Sequence, residues 1–210
     1  HLKDQQIVVP PKRHETKTEA YEGAYVKDPQ IGRHKWVASF DLNSLYPHLI
    51  MQYNISPETL VGMHTESGLV DALLDKEIDV DFLRKKNLTM TPNGSLYSRK
   101  KQGFLPALME KMYTDRVKYK KLLITEQKKG SNADSNKLAQ YHNLQLNLKI
   151  ALNSAYGALG NQWFRYYDER NAEAVSVAGQ LSIRWAENTV NKYLNKLLET
   201  DEKDYVIASD

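Results

Sequence analysis

Two stretches in which helix formers dominate, Pro106 to about Thr125 and about Lys137 to Tyr156, flank the break Lys129-Gly130-Ser131-Asn132-Ala133-Asp134-Ser135. That layout predicts a helical hairpin. In its second helix Leu138, Tyr141, Leu144, Leu148, Leu152 and Ala155 recur every three or four residues and form one apolar stripe. His142, Gln145, Lys149, Asn153 and Tyr156 form a second stripe about 100° further round. This second stripe is polar yet holds no Glu or Asp, which suits an anionic ligand. In the first helix Arg116 and Lys120 are four apart and project from one side. Two basic faces on facing helices would converge on phosphate; the plain alternative is Lys and Arg on a solvated helix surface.

The chemistry is organised around another stretch, Val37-Ala38-Ser39-Phe40-Asp41-Leu42-Asn43-Ser44-Leu45-Tyr46-Pro47. Trp36 to Phe40 read as a buried strand ending in Asp41, Leu42 to Tyr46 as a turn, and Pro47 as the first residue of a short helix reaching Tyr53. Tyr21 to Val26 alternate as a strand would, with Gly23 either leaving room for a second backbone or marking a bulge, the reading favoured on this stretch alone. Asn93-Gly94 between two short strand candidates, Met90 to Tyr97, predicts a hairpin. Thr65 to Asn87 are weakly periodic. Gly157 and Gly160 are expected to end the helical hairpin. Ala172 to Leu198 form the longest helix pattern, with Val175, Ala178, Leu181, Trp185, Val190, Tyr193, Leu194 and Leu197 on its buried side. Tyr205 to Ala208 read as a second buried strand ending near an aspartate, Asp210. Residues 1–19 are polar and form an irregular entry segment.

The chain has 210 residues, 41% of them apolar, enough for one core or a core with a small appendage. It has no cysteine, which excludes disulfides, zinc-thiolate sites and cysteine nucleophiles and fits an intracellular protein. No run reaches the roughly 18 apolar residues of a membrane span, so a soluble protein without a membrane partner is expected. The net charge is only +3, but basic residues cluster at 12–14, 84–86, 99–101, 118–121 and 128–129, alongside thirteen tyrosines. Such clusters suit a polyanion surface with stacking groups, or are ordinary solvated faces.

Two aspartates at neighbouring strand ends make a hard oxygen site for Mg²⁺. With two ions roughly 3.5 to 4 Å apart, one activates an attacking hydroxyl and the other stabilises a leaving phosphate, the pattern of nucleotidyl transfer. Arg116, Lys120 and Lys149 would neutralise a triphosphate, and N–H groups at Ser44 to Tyr46 could hold its oxygens. The competing reading is that each Asp caps a turn.

Asp41-Leu42-Asn43-Ser44-Leu45-Tyr46-Pro47 resembles motif A of family B DNA polymerases, Lys149 to Gly157 resembles their motif B, and Val206-Ile207-Ala208-Ser209-Asp210 resembles the start of motif C. Tyr21-Glu22-Gly23-Ala24 resembles the Tyr-x-Gly-Gly segment linking their exonuclease and polymerase parts, and Asn54 to Thr59 and Gly157 to Asp168 look like the T-even phage type. The resemblance implies an α+β fold: a palm with an antiparallel sheet and packed helices over 1–103, a helical-hairpin fingers subdomain over 104–156, and palm again over 157–210.

The same resemblance implies template-directed transfer from a deoxynucleoside triphosphate to a primer 3′-hydroxyl on primer–template DNA, in DNA replication, with two Mg²⁺ ions. Asp41 and Asp210 would be the catalytic carboxylates, with the Leu42 carbonyl as a further metal ligand. Ser44 and Leu45 would cradle the β and γ phosphates, and Tyr46 would gate against a 2′-hydroxyl. Arg116, Lys120 and Lys149 would hold phosphates, Asn153 would sit near the nucleotide and Tyr156 against the nascent pair, while Tyr21, Gly23 and Gly157 would face DNA. Partners would include a sliding clamp and a single-stranded-DNA-binding protein, in a viral protein acting in the host cytoplasm.

His48 stands where the family usually has Ser, Ser209 where it has Gly, and Ala24 where a second Gly is common, and the break near Gly130 is short for the T-even type. The second motif C aspartate would lie beyond Asp210, so the chain is expected to be an excerpt with little activity alone. Two other readings compete: a non-catalytic nucleic-acid-binding module in which Asp41 only caps a turn, and another palm-type nucleotidyltransferase such as a reverse transcriptase.

Overall fold

The computed structural model describes residues 8–9, 11, 23–64 and 69–209. Its architecture is α+β, with packed helices around a small antiparallel sheet. The elements in order are α1 (Leu45–Tyr53), β1 (Leu60–Met63), α2 (Val70–Leu74), α3 (Asp81–Lys86), β2 (Leu88–Met90), β3 (Ser95–Ser98), α4 (Phe104–Gln127), a 3₁₀ turn (Gly130–Asn132), α5 (Ser135–Leu159) and α6 (Glu169–Leu197). The weakly periodic region before Asn87 thus holds two short helices, α2 and α3.

The sheet has the order β1-β3-β2. Its β2–β3 hairpin turns where Asn93-Gly94 stand, in register Leu88↔Ser98, Thr89↔Tyr97 and Met90↔Leu96. Gly94 adopts φ 82°, a left-handed geometry that glycine takes at no steric cost, and its N–H donates to Thr91 O at 2.8 Å. On the other side β1 pairs with β3, with a bulge between Leu60 and Gly62.

The core lies where α1, β3, the bases of α4 and α5, and the first half of α6 meet. Ile50, Ile55, Tyr97, Met109, Leu152, Leu159 and Val175 are almost fully enclosed. Tyr97 is admitted because its hydroxyl donates to Asn171 Oδ1 at 2.9 Å, so its polar tip has a partner inside. Burial pushes its phenol well above the ordinary tyrosine range, which keeps it a donor.

The helical hairpin forms as its spacing predicts, α4 lying along α5. At its tip Asp134 caps α5 by accepting from Asn136 N and Lys137 N. Glu126 accepts from Asp134 N at 2.9 Å and from Lys129 Nζ at 2.6 Å. The predicted apolar stripe of α5 faces inward, with Leu152 1% exposed. Gly157 continues the helix, and Gly160 alone stands at its end.

Five expectations are corrected. Trp36 to Phe40 form no strand: the segment is irregular and open, Trp36 being 100% and Phe40 90% exposed. A strand needs a neighbouring edge, and the segment at Ser209 pairs with Lys27 instead. Residues 23–26 and Tyr205 to Ala208 make no strand either, apart from that isolated Lys27↔Ser209 bridge; Tyr21 and Asp210 lie outside the described residues. A Cβ on Gly23 would meet no atom within 4 Å, so no second backbone comes close there among the described residues. The buried side of α6 holds at Val175 and Ala178 but fails beyond Leu181, because the second half of the helix runs past the core. There Trp185, Tyr193 and Leu197 are all more than half exposed.

Candidate nucleotide site

Helix α1 begins two residues before Pro47, which is accommodated because its missing N–H falls within the first turn. Ser44 precedes the helix in left-handed geometry, φ 56° and ψ 47°, unusual for a residue with a side chain. Two bonds hold it there: Ser44 O accepts from His48 N at 3.1 Å and from His48 Nδ1 at 2.8 Å. The second bond fixes the imidazole with its proton on Nδ1. Tyr113 packs edge-on against the His48 ring, centroids 4.6 Å apart. The predicted turn at Leu42 to Tyr46 is thus a strained helix entry pinned from α1 itself.

Around that entry the hairpin supplies the other walls. Arg116 on α4 donates from Nη1 to Ser44 Oγ at 3.3 Å, while its buried Nε has no partner among the described residues. From α5, Tyr156 lays its ring 4.6 Å from that of Tyr46. Burial, and then the neighbouring Tyr156, push the Tyr46 phenol upward, so the Tyr46 ring is neutral at physiological pH. Behind Tyr46 stands Gly179 of α6, where a Cβ would lie only 2.9 Å from Tyr46 Cε1. A larger residue there would drive the ring forward.

Ser44, Leu45, Tyr46 and Asn153 line one cavity of about 350 Å³, with Ala24, Pro47 and Ile183 completing its wall. That volume is in the range of small-molecule sites. The N–H groups of Leu45 and Tyr46 lie in the first turn of α1, where no intrahelical carbonyl reaches them and the helix dipole favours negative charge. The arrangement can seat an aromatic or sugar ring against Tyr46 and an anionic tail toward Arg116.

Six of the eight nucleotide-binding residues expected from sequence therefore converge: Ser44, Leu45, Tyr46, Arg116, Asn153 and Tyr156. Lys120 and Lys149 are exposed, each one turn nearer the hairpin tip than Arg116 and Asn153. Asp41 and Leu42 are exposed on the irregular segment, Asp210 lies outside the described residues, and among the described residues no three His, Asp or Glu gather. Of the expected Mg²⁺ ligands, Asp41 and the Leu42 carbonyl fall among the described residues. Gly157 is exposed on α5.

One cluster escaped the sequence reading. Lys27 Nζ pairs with Glu187 Oε1 at 3.0 Å and Asp204 Oδ2 at 2.7 Å, and Asn191 Nδ2 donates to Asp204 Oδ1 at 2.8 Å. Burial works to raise the Asp204 carboxyl, but its bonds to Lys27, Asn191 and Val206 N outweigh it and hold the group below the usual range. Together with Lys27 N to Ser209 O at 2.9 Å, this clamp fixes the segment leading to Asp210 against α6. No local pattern signals it, because Lys27 and Asp204 are 177 residues apart and Glu187 is one of several polar residues on its face of α6.

The sequence matches the model of DNA polymerase family B over residues 1–208. The DNA-directed DNA polymerases of Escherichia phage RB69 and Enterobacteria phage T4 are each 32% identical to it, over 100% of this chain and 28% of the phage protein. The DNA polymerase delta catalytic subunit of Candida albicans is 30% identical over 90% of this chain and 17% of its own length. The chain thus spans less than a third of the length of these relatives. Among the described residues, no helix is long and apolar enough to cross a membrane.

Proposed function

The chain belongs to DNA polymerase family B, and from that premise we propose that it forms the nucleotide-selecting part of a DNA-directed DNA polymerase. The observation that carries this reading is the meeting of motif A residues Ser44, Leu45 and Tyr46 with Asn153 around one cavity, closed by Arg116 and Tyr156. Residues 23–103 and 157–209 serve as palm, and the hairpin from 104 to 156 as fingers.

The deoxyribose of an incoming deoxynucleoside triphosphate rests against Tyr46, whose ring cannot retreat because Gly179 lies behind it. A 2′-hydroxyl would need that space, so ribonucleotides are excluded sterically. Tyr156 supports the nascent base pair. Phosphate oxygens take hydrogen bonds from the N–H groups of Leu45 and Tyr46 and from Arg116, with Lys120 and Lys149 adding positive charge as the hairpin tip approaches. Tyr21, Gly23 and Gly157 face the primer–template.

The two-Mg²⁺ mechanism, with Asp41, the Leu42 carbonyl and Asp210 as ligands, rests on the motifs rather than on described geometry. Such ions would supply activation of the primer hydroxyl and stabilisation of the leaving pyrophosphate. A replicative role in a phage-infected cell, in the host cytoplasm with a sliding clamp and a single-stranded-DNA-binding protein, rests on similarity to the phage polymerases.

Primer extension with Mg²⁺, comparing wild type with Asp41→Asn, tests the proposal. Extension is lost in the variant while DNA binding persists. Extension that survives means Asp41 is structural, and a non-catalytic nucleic-acid-binding module becomes the better reading.

A further inference from the structure

Two basic triplets that are distant in sequence, Arg84-Lys85-Lys86 and Arg99-Lys100-Lys101, become neighbours through strand pairing. The first closes α3, the second follows β3, and β2 between them pairs Leu88 with Ser98. One step beyond the ladder Arg99 N donates to Asn87 O at 3.0 Å, bringing the triplets together. All six side chains are exposed, and among the described residues none forms an ion pair. Of the carboxylates on the flanking segments, Glu58 accepts from Ser56 Oγ and Phe104 N, Glu110 accepts from Gln102, and Asp81, in the first turn of α3, is a single acid against the six bases.

The α3 triplet has a local reason, since cations at a helix C-terminus complement its dipole. The 99–101 triplet has none, and its backbone is nevertheless held rigidly: Asn54 Nδ2 donates to Ser98 O at 2.7 Å and to Lys101 O at 2.9 Å. Six like charges fixed side by side repel one another unless a polyanion supplies the counter-charge. Asn54 ends α1, whose first turn carries Tyr46. At 1.5 Å per residue the eight residues between them span about 12 Å. That equals roughly three to four base steps of about 3.4 Å.

We propose that Arg84, Lys85, Lys86, Arg99, Lys100 and Lys101 form a DNA-backbone contact surface, engaging phosphates three to four nucleotides from the nucleotide cavity. The ligand is the phosphodiester backbone, and the contact is independent of sequence. The distance argument rests on the nucleotide-site reading above.

The test is fluorescence anisotropy of labelled single-stranded and duplex oligonucleotides over a salt series, without nucleotide or Mg²⁺. Wild type is compared with Lys85→Ala/Lys86→Ala/Lys100→Ala/Lys101→Ala. A control, Lys192→Ala/Lys196→Ala, removes exposed charges from α6. The quadruple variant is expected to lower the slope of log K against log salt by about 3, at ~0.7 per single-strand phosphate or ~0.9 per duplex phosphate, with the control unchanged. A larger drop on one oligonucleotide identifies the strand form that meets the surface. Equal slopes for wild type and the quadruple variant overturn the proposal. So does tighter binding to phosphatidylserine vesicles than to DNA, which would make this a membrane surface. Because the salt slope reads these lysines and primer extension reads Asp41, failure of one reading is visible apart from failure of the other.

Discussion

Replacing Asn54 should be among the most damaging polar substitutions in the chain. Asn54 is 8% exposed and sits in left-handed geometry, φ 60° and ψ 42°, at the end of α1. Its Nδ2 donates to Ser98 O and Lys101 O, and its Oδ1 accepts from Gly103 N at 2.8 Å, so one side chain ties α1, the end of β3 and the start of α4. Asn54→Ala removes three hydrogen bonds at about 1 kcal/mol net each. It also forces an alanine into the left-handed region at about 1 kcal/mol more. The expected loss is about 4 kcal/mol, a large share of a typical domain's stability. Asn54→Gly loses the same bonds without the backbone strain and should lose about 3 kcal/mol. Urea unfolding followed by far-ultraviolet circular dichroism, extrapolated linearly to water, measures both. A loss below about 1 kcal/mol for Asn54→Ala, or a glycine variant no more stable than the alanine one, would refute the accounting.

Gly179→Ala should push its Cβ into Tyr46, costing about 1–3 kcal/mol in thermal unfolding. The ring, driven forward into the sugar space, should also widen the preference for deoxy- over ribonucleoside triphosphates in competition binding. His48→Ala frees the Ser44 carbonyl, and affinity for a deoxynucleoside triphosphate should fall about fivefold, the equivalent of one hydrogen bond, in isothermal titration; an unchanged affinity would show that Ser44 needs no pin. The Asp134 backbone N–H, and then Lys129, hold the Glu126 carboxyl below its ordinary 4.5. A depressed carboxylate contributes stability that is complete above that ordinary value and is lost as pH falls through the lower one. The protection factor of the Asp134 amide should therefore fall on acidification below about pH 4.5 in wild type, and Glu126→Gln should remove that pH dependence.

What could be read from sequence was whatever is decided locally. The hairpin helices follow from an apolar spacing repeated over several turns, and the β2–β3 turn from Asn93-Gly94, whose glycine alone suits φ 82°. Ser44, Leu45, Tyr46 and Asn153, which line one cavity, were named from motifs because motif residues, unlike strands, are identified without knowing their neighbours. Strands were the failure. Trp36 to Phe40 have strand composition, but a strand exists only with a partner edge, and composition carries no information about which edge is free. The apolar second half of α6 misled for the same reason: Trp185 and Tyr193 continue the helical stripe where nothing described packs against it. The Lys27, Glu187 and Asp204 clamp joins positions from both ends of the chain, a juxtaposition that no local window contains.

The α4–α5 hairpin is anchored at one end only, which makes it a lever. Its buried residues in α4 are concentrated at the base, Phe104, Leu105, Pro106 and Met109, whereas the tip is held by its own Glu126 network. At 1.5 Å per residue Gln127 lies about 35 Å from Phe104, and Arg116 about 18 Å. A tilt of about 10° about the base would carry the tip through about 6 Å but Arg116 through only about 3 Å. Position along the arm therefore sets the stroke of each cation. Arg116, near the pivot, would break or remake its bond to Ser44 at the smallest angles, and Lys120 and Lys149, further out, would sweep in from greater distance.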